Sequence, residues 1–228
     1  MSVLLPPIYI MCHPEHEPIR YQLLLRQLKN IPKIHWVRGP WGSELKSEDF
    51  FKVYDPFRPR FGFSTALNFK SAALLRGEVS LVLSFYKGLC EALDAYPEQD
   101  TFIFFESDVV LRPDFMERLE AILADPRPWA SISLGEGVGT RPHGASSYFA
   151  PTTLFTPPHQ FVFRCTDSML LRRSFLEKLR RTLLPCRECL DWELNFQMLA
   201  HRGISLWADP PLVEPGSGRW RSASLLPG

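Results

Sequence analysis

No run of apolar residues in this chain approaches the roughly 20 that a membrane-crossing helix requires. Neither sign of charge dominates: 26 Lys and Arg stand against 25 Asp and Glu, a formal net charge of +1. So even a balance gives neither the basic footprint of a nucleic-acid binder nor a polybasic face for a membrane surface. The five cysteines (Cys12, Cys90, Cys165, Cys186 and Cys189) are odd in number and scattered, which argues against a secreted disulfide framework. Cys186 and Cys189 have the spacing of a zinc pair, but no second pair completes it, and a chance pair is the expectation. Residues 1–9 are apolar yet hold Pro6 and Pro7 and no basic residue, a poor signal peptide. A cytoplasmic protein is therefore expected. A glycine- and lysine-rich phosphate loop is also missing, since the first strand candidate runs into His13-Pro14-Glu15-His16.

Proline, in contrast, is plentiful at 21 of 228 residues, and aromatics make up 13%. Disordered chains are poor in aromatics, so the prolines read as fixed loop turns. The length suits one α/β domain and buries enough surface to fold without a disulfide or structural metal.

Residues 7–11 form a short apolar run, residues 17–28 carry Ile19, Leu23, Leu24 and Leu28 at helical spacing, and residues 34–37 read as a second strand. This β-α-β opening favours parallel strands. Residues 54–61 interleave aromatics with Arg58 and Arg60, as a packed loop or a base-stacking surface would. A helix is expected over 78–93, then a continuous apolar strand over 101–105 of the kind covered on both faces. Asp114-x-x-Glu117 and Ser174-x-x-Glu177 read as capping boxes of two later helices. Further strands are expected at 130–134, 161–163 and 204–207, and a helix from Asp191 to a stop at Gly203. The Gly-, Pro- and Ser-rich stretch 135–158 is too long for a simple connection. It reads as a functional loop in which Arg141 and His143, with neighbouring His159, are substrate-contact candidates or plain exposed polar residues. The tail from Pro210 reads as loop.

The chemistry concentrates at Glu106-Ser107-Asp108, directly after the apolar strand. Acids one position apart at a strand end lie roughly 6–7 Å apart on one side. They suit a hard divalent cation, which takes one or two carboxylates and completes its shell with phosphates and water. Open α/β sheets bind ligands at the carboxyl ends of their strands, where this motif sits. A surface turn capping the next helix is the plainer alternative. Asp191 and Glu193 open the late helix; Asp191 is the favoured general base for an acceptor hydroxyl, Glu193 the alternative, and Asp191 also suits a helix N-cap.

Several segments together resemble glycosyltransferase family 25, the lipopolysaccharide and collagen galactosyltransferase type. They are residues 8–10 with the Arg20-containing helix, residues 77–87 (similar to that family's "GEIGC-LSHY" helix), Phe104 to Val109 at its metal motif, 165–173, Leu190-Asp191-Trp192, and the closing Pro210-Pro211-Leu212-Val213. Two departures stand out: Phe85 replaces a His, and Glu106 and Asp108 are separated where the family has adjacent acids. His201, inside a helix, leaves the third metal ligand open.

The resemblance implies a GT-A-like (Rossmann-like) α/β domain spanning 1–228, with a mostly parallel central sheet flanked by helices. Residues 1–110 would form its nucleotide-sugar half and 111–228 its acceptor half. It implies an inverting hexosyl- or pentosyltransferase using a nucleotide diphosphate sugar, expected to be a UDP-sugar, and a glycan or glycoconjugate acceptor. Mn2+ or Mg2+ would be held by Glu106 and Asp108. Cys12, His13, Glu78, Lys87 and Ser107 would line the donor side. A nucleotidyltransferase and a non-catalytic carbohydrate- or partner-binding module are the competing readings.

Overall fold

The structure, a computed structural model, describes residues 5–57, 74–136, 147–157 and 165–216. Arg58, Arg60, Arg141, His143, His159 and the strand expected at 161–163 lie outside these residues. In chain order the elements are β1 (Ile8–Met11), α1 (Pro18–Gln27), β2 (Ile34–Val37), a 3-10 turn (Gly42–Glu44), α2 (Ser47–Val53), α3 (Arg76–Ala95), β3 (Thr101–Glu106), β4 (Val109–Leu111), α4 (Phe115–Leu123), β5 (Ser131–Ser133), β6 (Thr153–Phe155), β7 (Ser168–Arg172), α5 (Arg173–Thr182), α6 (Leu190–Ala200), β8 (Ser205–Asp209) and β9 (Val213–Pro215).

Seven strands form one mixed sheet in the order β2-β1-β3-β7-β5-β8-β6. Strands β1, β2, β3, β5 and β8 share one direction, and β7 and β6 run against it. The α/β class and the mostly parallel sheet flanked by helices are thus as expected. What the sequence pattern did not convey is the insertion of antiparallel β7 between β3 and β5. That strand occupies 168–172, a stretch read only as a lead into a helix.

Strict alternation along the strands divides the core. Tyr9, Met11, Phe102, Phe104, Met169 and Leu171 pack on one face with Val82, Phe85 and Leu89 of α3, Leu176 of α5 and Leu194 of α6. Ile8, Ile10, Ile103, Phe105 and Leu170 face the other way, against Leu24 of α1 and Phe115 and Leu119 of α4. Side chains at successive strand positions point to opposite faces, so the run 101–105 must be apolar throughout to serve both layers.

Several local expectations are corrected. Asp114 precedes α4 but makes no capping bond, because its carboxylate accepts from Arg118 Nε at 2.6 Å and lies 3.4 Å from Arg112 Nε. Helix α5 begins at Arg173 rather than after Ser174, and Glu177 pairs with Arg173 at 3.4 Å. A one-sided cap closes instead at α3, where Glu78 Oε2 accepts from the Leu75 N–H at 2.6 Å. Of the apolar residues at helical spacing in α1, Leu24 is buried, whereas Ile19 is 59% exposed. The tail from Pro210 is not all loop: β9 pairs antiparallel with β4, and a backbone bond runs from Gly216 N to Asp108 O.

Phe85, the residue that departs from the family pattern, is fully buried and packs on Phe104 with ring centroids 5.0 Å apart. The position is a core position in this chain. Phe85→Ala is expected to cost about 3–5 kcal/mol in urea unfolding through the cavity it leaves. A loss under about 1 kcal/mol would contradict this packing.

Candidate active site

Three parallel strands, β2, β1 and β3, end side by side, with Met11 in register with both Val37 and Glu106. Above their carboxyl ends lies a cavity of about 550 Å³, whose described lining runs from Met11 to Ser107 in sequence. The floor is Met11, Cys12, Val37, Glu106 and Ser107; one wall is Pro40, Trp41 and Gly42 after β2, another the first turns of α3, including Glu78, Ser80 and Ser84. Residues after β1, namely His13, Glu17 and Arg20, complete the rim.

Strand β3 ends at Glu106, and Ser107-Asp108 form a turn into β4. The alternation that splits the core therefore also splits this motif. Glu106 keeps the parity of Phe102 and Phe104, the α3 and α6 side. Its carboxylate accepts a 2.6 Å hydrogen bond from Thr166 Oγ1, and its backbone N–H donates to Asp167 O at 2.8 Å. Ser107 turns to the opposite side and is bonded to α1: it donates to Glu17 Oε1 and accepts from Arg20 Nη1 at 2.8 Å. Arg20 Nη1 also pairs with Glu17 Oε1 at 3.0 Å, and Glu17 Oε2 accepts from the His13 N–H at 3.1 Å. One half-buried ion pair thus ties the β1 loop, α1 and the end of β3 together.

Burial pushes the Glu106 carboxyl up to about 8, and the negative charges of Asp108, Asp167 and Asp191 add to the push. Burial also raises Asp108, with Arg20 opposing and Glu17 adding to the rise. These couplings gather acids from three elements: the end of β3, the residue before β7, and the first turn of α6. Thr166, Asp167, Glu17 and Arg20 were not read as site residues from the sequence. The one available signal was an acid immediately ahead of the apolar run that became β7.

Asp191 stands in the first turn of α6, but Cys189, not Asp191, holds the N-cap position. Asp191 Oδ1 accepts from the Trp192 N–H at 2.8 Å and from the Cys189 thiol at 2.9 Å. Glu193 lies on the inner side of the same helix, fully buried, accepting from Arg187 N at 3.0 Å and Gln197 Nε2 at 3.0 Å. Its bonds fold the 186–189 loop onto α6, and both carboxylate oxygens are engaged inside the fold, which leaves this residue poorly placed for the general-base role that the sequence offered as its alternative. That loop is fixed from the other side by Cys186 N to Val53 O and Asp55 N to Cys186 O, both 2.9 Å. Cys186 is fully buried, and none of the five cysteines, all among the described residues, forms a disulfide.

The other candidates fall as follows. Cys12 lines the cavity floor, and burial pushes its thiol up to about 12. His13 and Ser107 are on the rim and floor, and Glu78 combines its capping bond with a place in the wall. Lys87 lies further along α3, donating to Arg38 O at 2.7 Å, and is not among the lining residues. His201 bonds Thr182 Oγ1 at 3.0 Å across the α5–α6 pair.

A buried carboxyl held protonated at neutral pH, among three further acids, is the donor chemistry that a hard divalent cation satisfies. Glu106 lines the cavity and feels the charges of Asp108, Asp167 and Asp191, but among the described residues no three of these acids bring ligand oxygens within 4.8 Å of one another. The raised Glu106 value carries a sign. Between its ordinary value, near 4.5, and about 8, the folded chain holds a proton that the unfolded chain has released, so stability falls as pH rises through this window. In metal-free buffer, wild type should lose up to about 1.4 kcal/mol per pH unit relative to Glu106→Gln between pH 5.5 and 7.5. Parallel urea unfolding curves across that range would refute the placement.

No family model and no curated protein matches the chain. Among solved structures it is similar to a glycosyltransferase involved in the glycosylation of the major capsid of PBCV-1, at 13% identity and a TM-score of 0.43, covering 96% of this chain and 99% of that one. It is also similar to the inositol-1-phosphate CTP transferase from T. maritima, at 9% identity and a TM-score of 0.39, covering 91% of this chain and 67% of that one. Likenesses of this depth concern the course of the chain and carry no argument about the reaction.

Proposed function

We propose that this protein is a metal-dependent glycosyltransferase that moves a sugar from a nucleotide diphosphate sugar, with UDP as the favoured nucleotide, to an acceptor hydroxyl with inversion. The observation that carries the reading is the place of Glu106 on the floor of a cavity at the carboxyl ends of three parallel strands, where the charges of Asp108, Asp167 and Asp191 also act on it. A volume of about 550 Å³ is in the range of sites for nucleotide-sized ligands.

Glu106 and Asp108 are the proposed holders of Mn2+ or Mg2+. Such a cation supplies charge neutralisation to a departing diphosphate, on which negative charge grows as the sugar leaves. Thr166 fixes one oxygen of Glu106 and so orients the other. Arg20, anchored by Glu17 and Ser107, keeps a positive charge beside Asp108. The acceptor oxygen attacks the anomeric carbon as the bond from that carbon to the diphosphate oxygen breaks. The hydroxyl proton passes to Asp191. Because Oδ1 of Asp191 already accepts from Trp192 and Cys189, Oδ2 is the oxygen assigned to take it. These two bonds also hold the carboxylate in place without a further partner having to move.

A thermal-shift series with UDP, GDP and CMP, each with and without Mn2+, tests the donor half of the reading. Stabilisation is expected only with nucleotide and metal together, by mass action, and Asp108→Ala should abolish it. Asp191→Asn should keep that stabilisation while transfer falls by about 10²–10⁴-fold. Full transfer activity in Asp191→Asn would remove Asp191 from the mechanism; pyrophosphate release from a nucleoside triphosphate would replace the reading with nucleotidyl transfer.

A further inference from the structure

The loop after β1 and the 3-10 turn after β2 bring together three ligand-type side chains that the transfer chemistry does not use. His13, His16 and Glu44 each offer one ring nitrogen or carboxylate oxygen, and these atoms lie within 4.8 Å of one another. His16 Nε2 is 3.3 Å from Glu44 Oε1. The surroundings orient all three. A backbone bond from His16 N to His13 O, 3.0 Å, fixes the two histidines on one turn, with ring centroids 4.4 Å apart. The Trp41 N–H donates to Glu44 Oε2 at 3.2 Å, and the Trp41 ring stacks on His16 at 4.5 Å and 16°. Behind His13, Glu15 Oε2 lies 3.1 Å from Nδ1, and Arg38 holds the other oxygen of Glu15 at 3.1 Å. A carboxylate against a ligating imidazole is the usual outer-shell support of a metal site, because it fixes the ring and raises its basicity.

Two imidazoles and one carboxylate select a different ion from the all-oxygen cluster at Glu106. Imidazole suits zinc, cobalt and nickel, whereas magnesium and calcium prefer oxygen alone. Two His and one Glu are also a ligand set that leaves zinc an open position for water or a ligand group. We propose that His13, His16 and Glu44 bind a zinc-class divalent ion that clasps the β1–α1 loop to the turn after β2 at the mouth of the cavity. The site is independent of the proposed transfer reaction. Glu44 is exposed and each histidine partly so, which lets the ion enter from solvent and lets the carboxylate rotate onto it. Since His13 and Trp41 both line the cavity, the bound ion would stiffen the wall they share.

Dialysis of the purified, chelator-stripped chain against Co2+, followed by its visible absorption and by metal content, tests the proposal. One equivalent is expected, displaced by Zn2+ and not by excess Mg2+. His16→Ala and Glu44→Gln should each weaken binding at least about tenfold, while Asp108→Ala leaves it unchanged. Cooperative urea unfolding of each variant separates loss of the site from loss of the fold, and neither changed residue is in the core, His16 being half-buried and Glu44 exposed. No Co2+ bound to wild type, binding that survives His16→Ala or Glu44→Gln in a folded chain, or binding lost only in Asp108→Ala would overturn it.

Discussion

Like charges crowded at the end of one central strand are the constraint around which the rest is arranged. Glu106 is pressed first by its own removal from water and then by the charges of Asp108, Asp167 and Asp191. Such a cluster persists only if each carboxylate is hydrogen-bonded, protonated or shared with a cation. The chain supplies part of this: Thr166 donates to Glu106, the Cys189 thiol and the Trp192 amide donate to Asp191, and Arg20 stands against Asp108. What these donors leave unmet is the demand that the proposed cation would fill, and it is the physical reason for reading the cluster as a working site.

The sheet's alternation decides how that site is divided. Glu106 inherits the face of Phe102 and Phe104 and looks toward α6, whereas Ser107 inherits the face of Ile103 and Phe105 and is drawn into the Glu17–Arg20 pair on α1. Glu106 and Ser107, neighbours in the acidic tripeptide, thus point to opposite sides. Glu193 and Cys186 pin the loop ahead of α6, so a fully buried carboxylate helps to place the half-buried Asp191 two residues before it.

Charge around the cavity is organised in two chemically distinct groups. At the floor stands the Glu106 carboxyl, with the charges of Asp108, Asp167 and Asp191 acting on it. At the rim, imidazoles join a carboxylate across two loops that the sheet order sets side by side, since β2 and β1 are neighbours in register. The two groups would select different ions for the same reason that their donors differ in hardness.

By itself the sequence determined the α/β class, the positions of β1, α1, β2, α3 and β3, and the acidic motif at a strand end. Each of these is a local property: apolar alternation or periodicity, a run long enough for one element, and polar residues that end it. The β4–β9 ribbon, the strand β7 and the capping at α4 and α5 were misread, because they depend on partners far along the chain. Asp114 would cap α4 were Arg118 and Arg112 not nearer to its carboxylate. Only tertiary structure decided that Asp167 and Thr166 stand beside Glu106, that Glu193 faces inward while Asp191 does not, and that His13 and His16 meet Glu44 across 28 residues of chain. These pairings come from strand order and antiparallel register, and neither leaves a signature in the spacing of residues along one segment.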